Sequence, residues 1–245
     1  VRNMELQVIA YARNGFSQKF GIPRQSREES YIETHIIFAP AYRVREALRG
    51  IEDYSHLWLL WGFSQYEQVK GERLKMKVGG LDWSPTVRPP RLGGNKRMGV
   101  FATRSPFRPN PIGLTSVKLL RVEDTKEHGV VLVVSGADLL DGTPIYDIKP
   151  YLTFSDSHPD AKNGFAEATK NYYLEVQVDE ELLREVLEDG CPWNAIEEIL
   201  NQDPRPAYQD DPERVYHLDY AGWAVDFIVI ATTVCVKNII RKDII

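Results

Sequence analysis

Between Met4 and Tyr151 the chain offers one strand-like run after another and scarcely a segment long enough to serve as a crossover helix. Parallel strands need a connection of a dozen or more residues, usually helical, whereas antiparallel strands can be joined by tight turns. Met4 to Ala12 (MELQVIAYA), Tyr31 to Phe38, Tyr54 to Phe63 (YSHLWLLWGF), Gly99 to Thr103, Leu114 to Val122 and Val130 to Ser135 all read as strands. A further short strand is bracketed by Pro144 and Pro150, and the turn signals Glu127-His128-Gly129 and Asp141-Gly142 separate its neighbours. Arg43 to Leu48 is a short helix candidate stopped by Gly50. The expectation is a mainly β fold with an antiparallel, self-closing sheet over about residues 1–155. The apolar strand Tyr54 to Phe63 is expected to be buried on both faces or to pack under a lid.

From Phe154 to Asn171 periodicity is lost, so residues 156–170 read as a linker. Residues 171–245 read as a small α+β domain. Tyr172 to Val178 is a strand, and Asp179 caps a helix ending at Gly190. Trp193 to Leu200 is a second helix, and a hairpin turns at Ala221-Gly222.

Charge concentrates in one place. The net charge is −5, yet Ser84 to Gly113 holds Arg88, Arg91, Lys96, Arg97, Arg104 and Arg108 with no acid among them. Pro85, Pro89, Pro90, Pro106, Pro109 and Pro111 stiffen this stretch, since proline fixes φ and removes a donor. It reads either as a solvated basic loop or as a rigid surface meeting an anion locally. The insert Gln65 to Asp82 is rich in Lys and Glu and is expected to be exposed and mobile.

Several chemistries are excluded. Gly94 to Gly99 has P-loop glycine spacing, but Val100 and Phe101 stand where the metal-binding hydroxyl belongs. No GxGxxG follows a strand, so a Rossmann cofactor site is not expected. The five histidines are scattered, and Cys191 and Cys235 are too distant to suggest a metal site or disulfide framework. Ser55 and His56, as neighbours in a strand, are expected to point apart, which argues against a serine–histidine pair. His56 is either a hydrogen-bonded core histidine or a ligand contact. Asp138, Asp141 and Asp147 lie near the basic stretch, as structural ion pairs or as the acidic side of a site for a ligand carrying both charges. No apolar run is long enough to span a bilayer, and the N-terminal stretch lacks a signal-peptide layout, so a cytoplasmic protein is expected.

Five blocks, Ile22-Pro23-Arg24-Gln25, Tyr54 to Trp58 (YSHLW), Arg88 to Leu114 (RPPRLGGNKRMGVFATRSPFRPNPIGL), Asp138 to Tyr151 (DLLDGTPIYDIKPY) and Gln202 to Tyr208 (QDPRPAY), resemble the TsaA-like, or TrmO, family of S-adenosylmethionine-dependent tRNA methyltransferases. The resemblance runs nearly end to end. It implies a single-sheeted β-barrel, a homodimer, and methylation of the exocyclic nitrogen of threonylcarbamoyladenosine 3′ of the anticodon in threonine tRNAs. By motif match, the S-adenosyl-L-methionine site draws on Pro23, Arg24, Gln25, His56, Leu57, Arg104, Leu114, Asp141, Gly142, Thr143 and Pro144. Ser64 stands where relatives often carry histidine, and the spacer from Gln65 to Trp83 is longer than usual.

For the reaction, Asp138, Asp141 or Asp147 is expected to orient or accept the proton, with Lys149 and Tyr151 positioning that base. Arg88, Arg91, Lys96, Arg97 and Arg108 are expected to meet tRNA phosphates or the threonyl carboxylate, with no DNA or membrane partner. Arg205 and Tyr208 are either a further RNA contact or a turn pinning the C-terminal domain. A non-catalytic tRNA- or nucleotide-binding barrel, or a methyltransferase for another small substrate, are the competing readings.

Overall fold

The structure is a computed structural model and describes residues 5–23, 30–63, 83–89, 96–169, 172–205 and 211–242. The N-terminal unit is built from β1 (Ala10–Arg13), β2 (Glu33–Phe38), β3 (His56–Gly62), β6 (Ile112–Thr125), β7 (Gly129–Ser135) and β8 (Pro144–Pro150). Their spatial order is β1-β2-β7-β6-β3-β8, every pair is antiparallel, and β8 pairs in turn with β1. The two short strands β4 (Thr86–Val87) and β5 (Met98–Gly99) form a separate antiparallel pair within the basic stretch.

Alternation of side chains along each strand explains the interior of this sheet. Leu57, Leu59 and Trp61 of β3 are buried with Val117 of β6, Leu132 and Val134 of β7, Ile36 of β2 and Ile145 of β8. The intervening residues of β3, His56, Trp58 and Leu60, are only half-buried. The expected two-faced burial therefore falls not on β3 but on β7, where Val130 to Ser135 are buried without a break. Gly99 to Thr103 is likewise not a strand. Val87 pairs with Met98, and the chain then tightens into a 3-10 turn, Val100–Ala102. Arg43 to Leu48 also forms no α-helix, only a 3-10 turn at Arg45–Leu48, and Gly50 adopts the expected left-handed conformation with φ 82°.

A second core lies in the C-terminal half. Helices α2 (Glu180–Glu188) and α3 (Trp193–Asn201) accompany a four-stranded sheet of order β10-β11-β12-β9, formed by β10 (Tyr216–Tyr220), β11 (Trp223–Ile230), β12 (Thr233–Arg241) and β9 (Glu175–Gln177). Asp179 accepts hydrogen bonds from the Glu181 and Leu182 amides, Glu180 and Glu181 complement the positive end of α2, and Gly190 takes φ 79° beyond its end. The tail expected to be one hairpin is a three-stranded meander. Between the two cores, Thr153–Asp156 is a single helical turn, α1, and Gly164–Thr169 a 3-10 turn.

The segment leaving β1 belongs to the second core. Phe16 and Ile32 are buried among Leu218, Tyr220 and Phe227, with Phe20 and Ile22 packed alongside. Ala221 donates its amide to the Gly15 carbonyl at 3.0 Å, and Glu198 of α3 accepts from Ser30 Oγ and the Tyr31 amide.

Candidate active site

Register brings together residues that lie far apart in sequence. In β3, His56 stands opposite Lys118, Trp58 opposite Ser116 and Leu60 opposite Leu114 on β6; on the other side Trp58 faces Lys149 and Leu60 faces Asp147 of β8. All occupy the face of β6-β3-β8 turned away from the core. Five expected site residues, His56, Leu114, Asp147, Lys149 and Tyr151, thus share one surface. Tyr151 donates its amide to the His56 carbonyl at 3.0 Å, and its ring lies 6.1 Å from His56 and 5.5 Å from Trp58. Leu114 is 54% exposed there. Lys149 Nζ holds Asp147 Oδ2 at 2.7 Å. Leu57 points the other way, fully buried in the core.

Trp58 and Asp156 belong to this surface although the motifs did not single them out as functional. The Trp58 indole N–H donates to Asp156 Oδ2 at 2.8 Å, and that carboxylate also accepts from the Leu152 amide and Ser155 Oγ. These hydrogen bonds, led by Leu152, hold the Asp156 carboxyl below its ordinary range. A carboxylate just beyond the end of β8 thereby fixes an aromatic ring on β3, the strand beside that of Leu114. No sequence spacing announces that contact.

The turn Asp141 to Pro144 lies at the opposite end of β8. Asp141 accepts from Arg13 Nη1 and the Asn14 amide, both at 3.0 Å, while Gly142 donates its amide to the Ala12 carbonyl with φ 76°. Thr143 is buried and Pro144 pairs with Tyr11. At about 3.3 Å per residue, the length of β8 puts roughly 20 Å between this turn and His56. The residues expected to hold one methyl donor therefore form two separated groups within a single chain. Pro23 is half-buried at the end of the segment that enters the second core; Arg24 and Gln25 lie outside the described residues.

Asp138 differs from the other two aspartates. Trp61 Nε1 donates to Thr115 Oγ1 at 3.0 Å, and Thr115 Oγ1 donates to Asp138 Oδ1 at 2.7 Å. Burial pushes the Asp138 carboxyl above its usual range, outweighing Thr115, its own backbone amide and the charge of Arg104, all of which favour ionisation. The three acids have separate partners: Asp141 pairs with Arg13, Asp147 with Lys149, and Asp138 accepts from Thr115.

Two expected RNA contacts are used internally. Arg108 donates from Nε to the Ser105 carbonyl and from Nη2 to the carbonyls of Val100 and Thr103, stapling its own loop. Arg205 is 6% exposed and grips Asp203 through Nε at 2.8 Å and Nη2 at 3.0 Å, the arrangement that its reading as a turn-pinning residue calls for. Arg88, Lys96 and Arg97 are exposed, with Arg97 Nη1 on Thr86 Oγ1 at 2.6 Å; Arg91, Tyr208, Ser64 and the insert to Asp82 lie outside the described residues. One exclusion also needs amending. Ser55 Oγ and His56 Nδ1 are 2.9 Å apart, because Ser55 precedes β3 and strand alternation does not govern it. Among the described residues no group of His, Cys, Asp and Glu could hold a metal ion.

A mainly β chain with a six-stranded antiparallel sheet and this outer-face site is matched by two family models in succession. The tRNA-methyltransferase O N-terminal domain covers residues 11–157, and the TrmO C-terminal domain covers residues 167–242. The chain belongs to the TrmO family. It is 43% identical over 233 residues to the tRNA (adenine(37)-N6)-methyltransferase of Escherichia coli K12, covering 93% of this chain and 92% of that protein. A protein of Methanothermobacter thermautotrophicus named "Probable S-adenosyl-L-methionine-binding protein" is 37% identical over 157 residues, 63% of this chain and 96% of its own length. A solved structure titled "Crystal structure of TrmO" superposes with a TM-score of 0.74 at 32% identity, covering 97% of this chain and 99% of that one.

Proposed function

We propose that this chain transfers a methyl group from S-adenosyl-L-methionine to the exocyclic nitrogen of threonylcarbamoyladenosine, 3′ of the anticodon in threonine tRNAs. The observation that carries the reading is the outer face of β6-β3-β8, where three distant sequence motifs meet. Its residue types fit the donor: aromatic rings of Trp58 and Tyr151, an apolar Leu114, and a carboxylate and an ammonium at Asp147 and Lys149. When bound, the donor supplies an electrophilic methyl on a sulfonium, and in-line displacement asks the protein chiefly for alignment.

The chain's own residues divide the remaining work. Asp138, Asp141 or Asp147 orients or accepts the proton: Asp147 stands on the outer face beside Lys149, whereas Asp138 is held from the buried side by Thr115 Oγ1 at 2.7 Å. Asp141, engaged by Arg13 and Asn14, positions the turn to Pro144, and Lys149 sets Asp147 on the outer face. Residues 1–155 are the cofactor-binding and catalytic β-barrel, and residues 171–245 an appended α+β domain. The protein acts as a cytoplasmic homodimer. The separation of His56 from Asp141 along β8, with Leu114 and the 88%-exposed Phe154 uncovered, supports a donor site completed by a second copy.

Mass spectrometry of threonine tRNAs from a strain lacking the gene, with and without this chain restored, tests the proposal. Restoration of a methyl group on threonylcarbamoyladenosine is expected; unmethylated tRNA alongside a folded, S-adenosylhomocysteine-binding protein would overturn it. Replacing each of Asp138, Asp141 and Asp147 in single-turnover assays at saturating donor tests the base, and an unchanged rate in Asp138→Ala would remove Asp138 from that role.

A further inference from the structure

Phe101 is 73% exposed, and its ring lies 5.6 Å from that of Trp83 at an interplanar angle of 36°. Together the two rings form an aromatic pair with Phe101 outermost. Its backbone is fixed: Val100 beneath it is buried, the Val100 amide donates to the Pro85 carbonyl at 3.0 Å, and Arg108 and Thr103 Oγ1 both donate to the Val100 carbonyl. The ring is therefore presented from a stapled loop. The stretch from Ser84 to Gly113 that carries the ring supplies cations and no acid, while Asp82 immediately precedes Trp83 in sequence. Arg88 and Arg97 extend the paired residues Val87 and Met98 by one step, Lys96 follows, and Arg104 lies three residues beyond Phe101, with no acid from Ser84 to Gly113. A protein partner of ordinary composition would be matched by mixed charge. A rigid exposed aromatic framed by arginines matches an unpaired base with its flanking phosphates.

We infer that Phe101, backed by Trp83, is a stacking platform for an unpaired base of the tRNA anticodon loop. This rests on the tRNA reading above and assigns a recognition residue within it.

The test compares Phe101→Ala and Phe101→Trp in the full-length protein. Affinity for a threonine anticodon stem-loop RNA is measured by fluorescence anisotropy across a salt series, with calorimetric affinity for S-adenosylhomocysteine and sedimentation of each variant. Phe101→Ala is expected to weaken RNA binding about 5- to 150-fold, the worth of one base stack, with the salt slope, donor affinity and oligomeric state unchanged. Phe101→Trp is expected to retain binding. RNA affinity unaltered in Phe101→Ala, or a loss that tracks a change in oligomeric state, would overturn the platform while leaving the tRNA reading intact. A wild-type protein that binds no stem-loop would instead overturn the tRNA reading itself.

Discussion

Replacing Gly113 by alanine tests whether the packing beneath the site sets its chemistry. A Cβ on Gly113 would enter the Trp61 indole, meeting the ring atoms Cε2, Cζ2 and Cδ2 well inside van der Waals distance. That ring cannot easily yield. It is 8% exposed, lies edge-on to Phe63 with centroids 4.5 Å apart, and donates to Thr115, which in turn donates to Asp138. Overpacking of this kind costs about 1–3 kcal/mol, and displacement of the buried Trp61–Thr115 hydrogen bond adds about 1 kcal/mol. With an unfolding entropy of about 2.1 cal/mol/K per residue, a loss of 2–4 kcal/mol lowers the melting temperature by about 4–8 °C. Two other glycines act as controls. At Gly62 the added methyl would meet the hydroxyl end and outer ring carbons of Tyr146, which is half-buried where Trp61 is buried, and at Gly99 it would meet nothing within 4 Å. Urea unfolding followed by tryptophan fluorescence should therefore rank the variants Gly113→Ala, then Gly62→Ala, then Gly99→Ala, from most to least destabilised. Single-turnover methylation should fall only in the first. A Gly113→Ala protein within about 0.5 kcal/mol of wild type and fully active would refute the linkage of Trp61 to Asp138.

Asp138→Asn should keep the Thr115 hydrogen bond while removing a carboxyl whose burial opposes ionisation. Since the folded state raises this pKa, Asp138 favours folding at low pH and loses that contribution as pH rises through its folded value, so the variant should gain stability over wild type at pH 8 and not at pH 4, read by melting curves. Arg205→Met should lose about 3–5 kcal/mol in denaturant titration, because it strands a largely buried Asp203. An Arg88→Ala/Arg97→Ala double variant should lower the salt slope of stem-loop binding by about 0.7 for each phosphate no longer neutralised. Cys191, 6% exposed with its thiol pushed by burial up to about 11, should resist alkylation at pH 7.5 until the protein unfolds, as mass spectrometry of labelled protein would show.

What was legible in the sequence depended on how local the cause was. Asp179 announced α2 because capping is decided within three residues, and the β6-β7 hairpin was visible in an apolar run beginning at Gly129. The hairpin at Ala231-Thr232 was not, since Ala231 adopts φ 52° without the glycine or asparagine that normally signals such a turn. The membership of the outer face was hidden for another reason. His56, Leu114 and Asp147 become neighbours only once β3 lies between β6 and β8, an order no local pattern encodes. Charge misled most. Arg205 and Arg108 resemble their exposed neighbours in sequence, yet one is held by Asp203 and the other by carbonyls of its own loop.

The burial of Phe16 and Ile32 in the second core bears on how the chain could have been assembled and how it comes apart. Sequence-defined modules end at residue 157 and resume at 167, but the physical seam runs elsewhere, since the N-terminal module contributes side chains to its neighbour's interior. Cutting the chain between them would lay bare two large apolar residues and the Glu198 anchor of Ser30 and Tyr31. In this chain, separating the N-terminal unit from its companion would expose Phe16 and Ile32 to water.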